Sequence, residues 1–123
     1  MSKKTAFYLE RSMAIFVAVI LLQTLFFKFT GAKESVEIFT KLGVEPWGRY
    51  FTGTLELIAG LMLLYPKTAI KGAVVTIAVM IGAVLSHIFA LGTSGDQGQL
   101  FWMAVAVLAL SNLIIKARVY LNK

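Results

Sequence analysis

The chain has 123 residues, of which 59% are hydrophobic and 15% charged, and its mean hydropathy is +0.81. This polar content is too small to cover a soluble domain, so the composition predicts a single integral membrane domain over residues 1–123, in contact with the lipid bilayer. The net charge of +6 does not indicate nucleic acid, because the basic residues stand mostly at the ends of apolar runs. Since the chain has no cysteine, disulfides and thiolate metal sites are excluded.

Four apolar runs predict an all-α membrane protein, a four-transmembrane-helix bundle. The runs cover about residues 12–29, 47–65, 70–91 and 99–115. At about 1.5 Å per residue, each run can cross, or nearly cross, a hydrocarbon core of about 30 Å. No clear cleavage site follows the first run, so we expect a retained helix rather than a signal peptide.

The segment between the first two runs predicts a short amphipathic surface helix within residues 31–43. Val36, Phe39 and Leu42 recur at helical spacing, and Gly43 is placed to end the helix. Its apolar face could cap the bundle or float in the lipid interface, and the sequence leaves both readings open.

The distribution of basic residues predicts the orientation. One side of the membrane would carry eight, namely Lys3, Lys4, Arg11, Lys67, Lys71, Lys116, Arg118 and Lys123. The other side would carry three, Lys33, Lys41 and Arg49, with Lys28 at its border. Because Lys and Arg are enriched on the cytoplasmic side, both termini of this multi-pass protein are expected in the cytoplasm.

Three ionisable residues interrupt the apolar runs, and the predicted topology brings them to one depth. Lys28, Glu56 and His87 come from three different helices and fall in the outer half of the bilayer. A charged side chain in this environment costs several kcal/mol, roughly 2.5 to 3.5 at the helix centre, so it tends to face a partner or a polar cavity. We therefore expect Glu56 to make a direct contact with Lys28 or His87.

Each member of this cluster has a structural explanation beside the functional one. Lys28 could bind a ligand headgroup, form a simple ion pair or extend to the interface, and Glu56 could be paired with Lys28, protonated or part of a proton path. His87 could relay protons at quinol oxidation, hydrogen-bond a quinone carbonyl, or only hydrogen-bond Glu56. One histidine without cysteine is a poor haem or metal ligand set, so no metal is expected.

Aromatic and small residues near this cluster predict the walls of a ligand pocket. Aromatic rings among polar groups suit a ligand that is itself a ring with oxygen substituents. Glycines at helix contacts allow close backbone approach. The expected lining residues are Phe27, Tyr50, Phe51, Gly53, Gly60, Phe89 and Trp102.

Several short motifs, taken in order, resemble the DoxX or DoxX-like family of small four-helix bacterial membrane proteins. The motifs are residues 27–31, Leu42-Gly43 with Pro46, residues 53–57, Gly60-Leu61, and Gly82-Ala83 ahead of His87. The chain departs from the family pattern at Leu25 and Phe26, in a region that often carries glycine. The resemblance implies a bacterial inner-membrane protein. It also implies a link to quinone-dependent oxidation of sulfur compounds, as in some members, or to oxidative-stress complexes, as in others.

Two functions remain open at this point. The chain could be a redox-linked, quinone-associated membrane subunit of an oxidoreductase, with Lys28, Glu56 and His87 lining the site. It could instead be a non-enzymatic membrane partner or assembly factor in which the same residues hold the bundle together. No nucleophile constellation or phosphate loop supports catalysis by the chain alone. A redox partner protein and a homo-oligomer are both compatible with the sequence.

Overall fold

A computed structural model describes residues 1–123, the side chain of Asp96 excepted, and the described backbone is all-helical and without strands. In chain order the elements are α1 (Lys3–Phe29), α2 (Lys33–Lys41), α3 (Trp47–Leu64), a 3-10 turn (Pro66–Thr68), α4 (Ala69–Ser86), a π turn (His87–Leu91) and α5 (Gly95–Leu121). The predicted all-α fold is confirmed.

The first and last helices are longer than the apolar runs that predicted them. The α1 helix starts at Lys3 because the Ser2 hydroxyl caps it, accepting a hydrogen bond from the Thr5 N–H at 3.1 Å. The α5 helix extends on both sides of its apolar run, from Gly95 to Leu121. Both helices have 27 residues, about 40 Å at 1.5 Å per residue, so they exceed a hydrocarbon core.

Three helical segments are long and apolar enough to cross a membrane. They are Lys3–Phe29, Pro66–Leu91 and Gln97–Leu121. The α3 helix, which has 18 residues, is not among them, because Arg49 and Glu56 lower its mean hydropathy. Length and composition therefore support three of the four predicted spans.

The four long helices form a bundle in which each packs against its neighbours in sequence and α5 returns to α1. Small residues fill the centre, including Ala14, Ala18, Ala59 and Ala73, which are completely buried. Large apolar side chains such as Phe16 remain exposed on the outside. Small residues between helices and large apolar residues outside are typical of helices that pack within lipid.

The short helix between α1 and α3 is present as predicted. It covers Lys33–Lys41, within the expected range of residues 31–43, and Gly43 follows it with a positive φ of 75°. Phe39 is buried, and the helix contacts α1, α3 and the π turn. Of the two readings left open by the sequence, the structure favours a cap over one end of the bundle.

Gly72 lies where α3 and α4 pack most closely, so a substitution there tests that packing. A Cβ atom at this position would lie 2.9 Å from the Ala59 carbonyl oxygen and 2.9 Å from the Leu63 nitrogen, which are backbone atoms that cannot turn aside. We expect Gly72→Ala to lower the free energy of unfolding by about 1 to 3 kcal/mol, the usual cost of overpacking. The measurement is unfolding of the purified protein by SDS titration in mixed micelles.

Gly82→Ala is the matched control on the same helix. A Cβ atom at Gly82 would meet no described atom within 4 Å. Alanine is the better helix former, so this change should leave stability unchanged or raise it by up to about 1 kcal/mol. Equal losses in both variants would contradict the close approach at Gly72.

Candidate functional site

Lys28 and Glu56 form an ion pair between α1 and α3. The Lys28 Nζ atom lies 2.8 Å from Glu56 Oε1, although the angles fall short of hydrogen-bond geometry. The Thr24 hydroxyl donates a hydrogen bond of 2.5 Å to the other carboxylate oxygen, Oε2. The Glu56 side chain is 3% exposed and that of Lys28 17%. The carboxylate is therefore held from two sides, while the ammonium keeps some access to the outside.

Two glycines of α3 let α1 come close enough for this ion pair. A Cβ atom at Gly53 would lie 2.9 Å from the Phe29 ring, and one at Gly60 would lie 3.3 Å from the Leu22 side chain. Gly53, Glu56 and Gly60 share one face of α3, as their i, i+3, i+7 spacing predicts. The glycine contacts place that face against α1, where Lys28 lies in the last turn.

His87 begins the π turn that ends α4. Its Nδ1 atom lies 2.8 Å from the Ala83 carbonyl oxygen, which can only accept, so Nδ1 carries the proton in this contact. The Nε2 atom is buried and has no hydrogen-bond partner among the described residues. A neutral imidazole in this tautomer offers Nε2 as an acceptor. The histidine is therefore not hydrogen-bonded to Glu56, although the sequence had allowed that contact.

A cavity of about 820 Å³ opens between the helices beneath α2. Its walls include Lys28, Glu56 and His87, so the structure brings the three predicted residues to one space, and Thr24 is among five further polar residues of the wall. Most of the remaining wall is apolar, supplied by residues such as Ile38, Leu55, Val79 and Met103. A largely apolar cavity with a few placed polar groups is typical of sites for small organic ligands, which occupy about 300 to 1,000 Å³.

Two of the seven predicted lining residues line the cavity, and five do not. Phe27 and Phe51 line the cavity, and Trp47 and Phe39 supply aromatic rings that the sequence did not single out. The other five predicted residues lie elsewhere, namely Tyr50, Gly53, Gly60, Phe89 and Trp102.

The physical reasons for these five corrections differ. Gly53 and Gly60 face α1, where the Phe29 and Leu22 side chains fill the space. Tyr50 stacks on Phe29 with ring centroids 6.5 Å apart. Two further aromatic residues point outward from the bundle, Phe89 with 80% exposure and Trp102 with 64%.

Arg49 supports the site from below α2, a role that its place among the basic residues outside the apolar runs did not predict. Its Nε atom donates to both carboxylate oxygens of Glu45, at 2.9 and 3.0 Å, and an Nη1 hydrogen bond reaches the backbone carbonyl of Lys28. Only 5% of Arg49 is exposed. The guanidinium thus fixes the end of α1 from which the Lys28 side chain leaves. The i, i+4 spacing of Glu45 and Arg49 is the signal that would have indicated this pair.

Metal binding finds no support in the arrangement of side chains. Within the part of the chain that the structure describes, no three residues among His, Asp and Glu group closely enough to hold a metal ion. The polar residues of the cavity wall are instead a lysine, a histidine, two glutamates and four residues with hydroxyl groups, namely Lys28, His87, Glu34, Glu56, Thr24, Ser35, Thr52 and Ser86. This set suits hydrogen bonds to oxygen atoms of an organic ligand.

We expect the two halves of the Lys28–Glu56 pair to differ in how much stability is lost when each is removed. Lys28→Met would leave the Glu56 carboxylate in an apolar wall with only the Thr24 hydroxyl, which should cost about 3 kcal/mol of unfolding free energy. Glu56→Gln should cost less, because the freed Lys28 side chain can extend to water. SDS titration of the purified variants would measure both losses.

The double variant Lys28→Met/Glu56→Leu should recover most of the stability lost in Lys28→Met, because it removes both charges. Glu37→Gln, on the exposed face of α2, is the matched control for loss of a carboxylate and should have little effect. A double variant no more stable than Lys28→Met would contradict the ion pair.

Comparison with known proteins agrees with this architecture. No curated protein and no solved structure matches the chain. The model of the DoxX-like family matches residues 12–113, which include α2, the four long helices in large part, and all three residues of the polar cluster. With a match over most of its length, the chain belongs to the DoxX-like family, and it is a helical membrane protein of that family.

Proposed function

We propose that this protein is a redox-linked membrane subunit that holds a small amphiphilic ligand, of the quinone class, in the cavity beneath α2. The observation that carries the proposal is His87, which lines a cavity of about 820 Å³ and whose buried Nε2 atom lacks a hydrogen-bond partner among the described residues. A buried polar atom without a partner costs about 1 to 3 kcal/mol, so a ligand that satisfies it gains affinity.

The polar groups of the cavity fit a ring with oxygen substituents. The Lys28 ammonium can donate a hydrogen bond to a ligand oxygen while remaining close to Glu56. His87 Nε2 can accept one from a hydroxyl. Phe27, Phe51 and Trp47 supply aromatic surface for the ring. A quinone or its reduced form would be held by these residues, and it would supply the electron-carrying chemistry that the chain itself lacks.

The tautomer of His87 predicts which redox form binds better. With its Nδ1 proton directed at Ala83, the imidazole in its neutral form can only accept at Nε2. A hydroquinone has a hydroxyl to donate, whereas a quinone has only carbonyl acceptors. We therefore propose that the site favours the reduced form, and that the chain presents it to a redox partner protein rather than acting as an enzyme alone.

We propose the bacterial inner membrane as its location, with four spans and both termini in the cytoplasm. Three helices meet the length and hydropathy of a span, and α3 packs between α1 and α4 along the bundle. The two ends of the chain meet at one end of the bundle, where Tyr120 donates a 2.5 Å hydrogen bond to the Met1 carbonyl. That end carries eight of the twelve basic residues, which favours the cytoplasmic side.

Single cysteines test this topology without a background, because the chain has no cysteine of its own. An impermeant thiol reagent applied to intact spheroplasts should label Thr93→Cys, in the connection between the π turn and α5, and leave Ser2→Cys unlabelled. After lysis both positions should label. Labelling of Ser2→Cys in intact spheroplasts would overturn the proposed orientation.

Ligand titration tests the site itself. Short-chain ubiquinol and ubiquinone analogues would be titrated against the Trp102→Phe protein in detergent, following the fluorescence of Trp47 at the cavity wall. The quinol should bind about tenfold more tightly than the quinone, the worth of one hydrogen bond of about 1.4 kcal/mol. His87→Leu should abolish this difference, because leucine fills similar space without an acceptor.

Ser86→Ala is the matched control at the same end of α4. The Ser86 hydroxyl also borders the cavity, but it is engaged by the Gly82 carbonyl at 2.8 Å, so its loss should leave both affinities unchanged. Absence of binding, or equal responses from the His87→Leu and parent proteins, would contradict the quinone site. The reading as a partner or assembly factor would then account better for the polar cluster.

A further inference from the structure

A second pocket lies at the opposite end of the bundle, where both termini meet. It has a volume of about 290 Å³ and lies beside the 3-10 turn between α3 and α4. Its lining residues are Pro66, Lys67, Ile70, Arg118 and Asn122. Two of these five side chains are cationic and one is an amide, so the pocket differs in character from the apolar cavity beneath α2.

Arg118 is held in the wall of this pocket by Glu10, a completely buried carboxylate of α1. The Glu10 Oε2 atom accepts from Arg118 Nη2 and also from Arg11 Nε, at 2.6 Å in the latter case. Arg11 Nη2 bonds the other oxygen, Oε1, and Arg11 Nη1 donates to the Leu64 carbonyl at the end of α3. Two guanidinium groups thus share one carboxylate, which leaves one positive charge without a counter-ion in this cluster.

Arg118 carries a hydrogen-bond donor that this cluster does not use. Its Nε atom is buried and has no hydrogen-bond partner among the described residues, and its side chain is 11% exposed. A guanidinium group fixed at the wall of a pocket, in a cluster with one unbalanced positive charge, suits the binding of phosphate oxygens.

The start of α4 adds a second attraction for an anion. The Thr68 hydroxyl donates back to the Met62 carbonyl at 2.8 Å, so it does not cap the helix, and no other side chain does so. The 3-10 turn runs directly into this 18-residue helix, and the Ala69 N–H is bonded to the Pro66 carbonyl, so the helix contributes the positive end of its dipole beside Lys67 and Ile70. On this side of the membrane the sequence has eight basic residues and only Glu10 as an acid.

We propose that this pocket binds a phosphate group, with Arg118 and Lys67 neutralising its charge and the Asn122 amide donating to an oxygen. The pocket lies at the end of helices that exceed the hydrocarbon core, and so at the level of the lipid headgroups. Basic pockets between transmembrane helices on the cytoplasmic side are typical sites for anionic headgroups. The phosphate can belong to an anionic lipid or be free in solution, and the experiment distinguishes the two.

Lipid binding would be measured by native mass spectrometry of the purified protein in neutral detergent, with phosphatidylglycerol or phosphatidylcholine added. We expect retained phosphatidylglycerol, and occupancy lowered about fivefold in Lys67→Gln, the worth of one lysine near an anionic surface. Lys71→Gln is the matched control, because Lys71 is likewise exposed and lies one turn along α4, outside the pocket. Both variants leave the Glu10 cluster intact.

Inorganic phosphate provides the second arm. If phosphate alone raises the melting temperature of the parent protein but not of Lys67→Gln, the site takes a free anion. If only phosphatidylglycerol does so, the site takes a lipid headgroup. Equal losses in Lys67→Gln and Lys71→Gln would show diffuse attraction to a basic surface and would overturn the proposal. So would equal retention of the two lipids, or no response to either phosphate source. None of these readouts depends on the quinone site.

Discussion

A carboxylate inside an apolar helix bundle has to be neutralised in place, because neither lipid nor an aliphatic core can solvate its charge. The protein meets this constraint twice, at Glu56 and at Glu10, and each time a counter-ion comes from another helix, with Arg11 of α1 itself as a second one at Glu10. The α1 helix takes part in both pairs, through Lys28 and through Glu10. These two residues are 18 positions apart, about five turns along the same face, so one stripe of α1 fixes α3 at one end and α5 at the other.

The two sites differ in their balance of charge, and this difference determines what kind of ligand each end of the bundle suits. At Glu56 one ammonium meets one carboxylate, a hydroxyl occupies the second oxygen, and the neighbouring space is large and mainly apolar. At Glu10 two guanidinium groups meet one carboxylate beside a small pocket with a further lysine. A neutral ring with polar substituents suits the first environment, and an anion suits the second.

The sequence predicts the helices well because apolar length and flanking charge are local properties. It also predicts the contact of Lys28 with Glu56, since two isolated charges at one depth have few other partners. It could not predict that Phe89 and Trp102 face outward, because helices surrounded by lipid are apolar on all sides and periodicity does not mark the inner face. The roles of Thr24 and Arg49 depend on contacts between helices, which residue spacing within one run does not reveal.

The π turn at His87–Leu91 links the position of the His87 ring to a glycine five residues later. The Gly92 N–H bonds to the His87 carbonyl at 2.8 Å, a five-residue step that holds one residue more than an α-helical turn. Gly92 has a positive φ of 90°, where a side chain would be strained, and the helix ends there. A substitution at Gly92 would therefore disturb the backbone that holds His87 at the cavity wall, although residue 92 is not itself part of that wall.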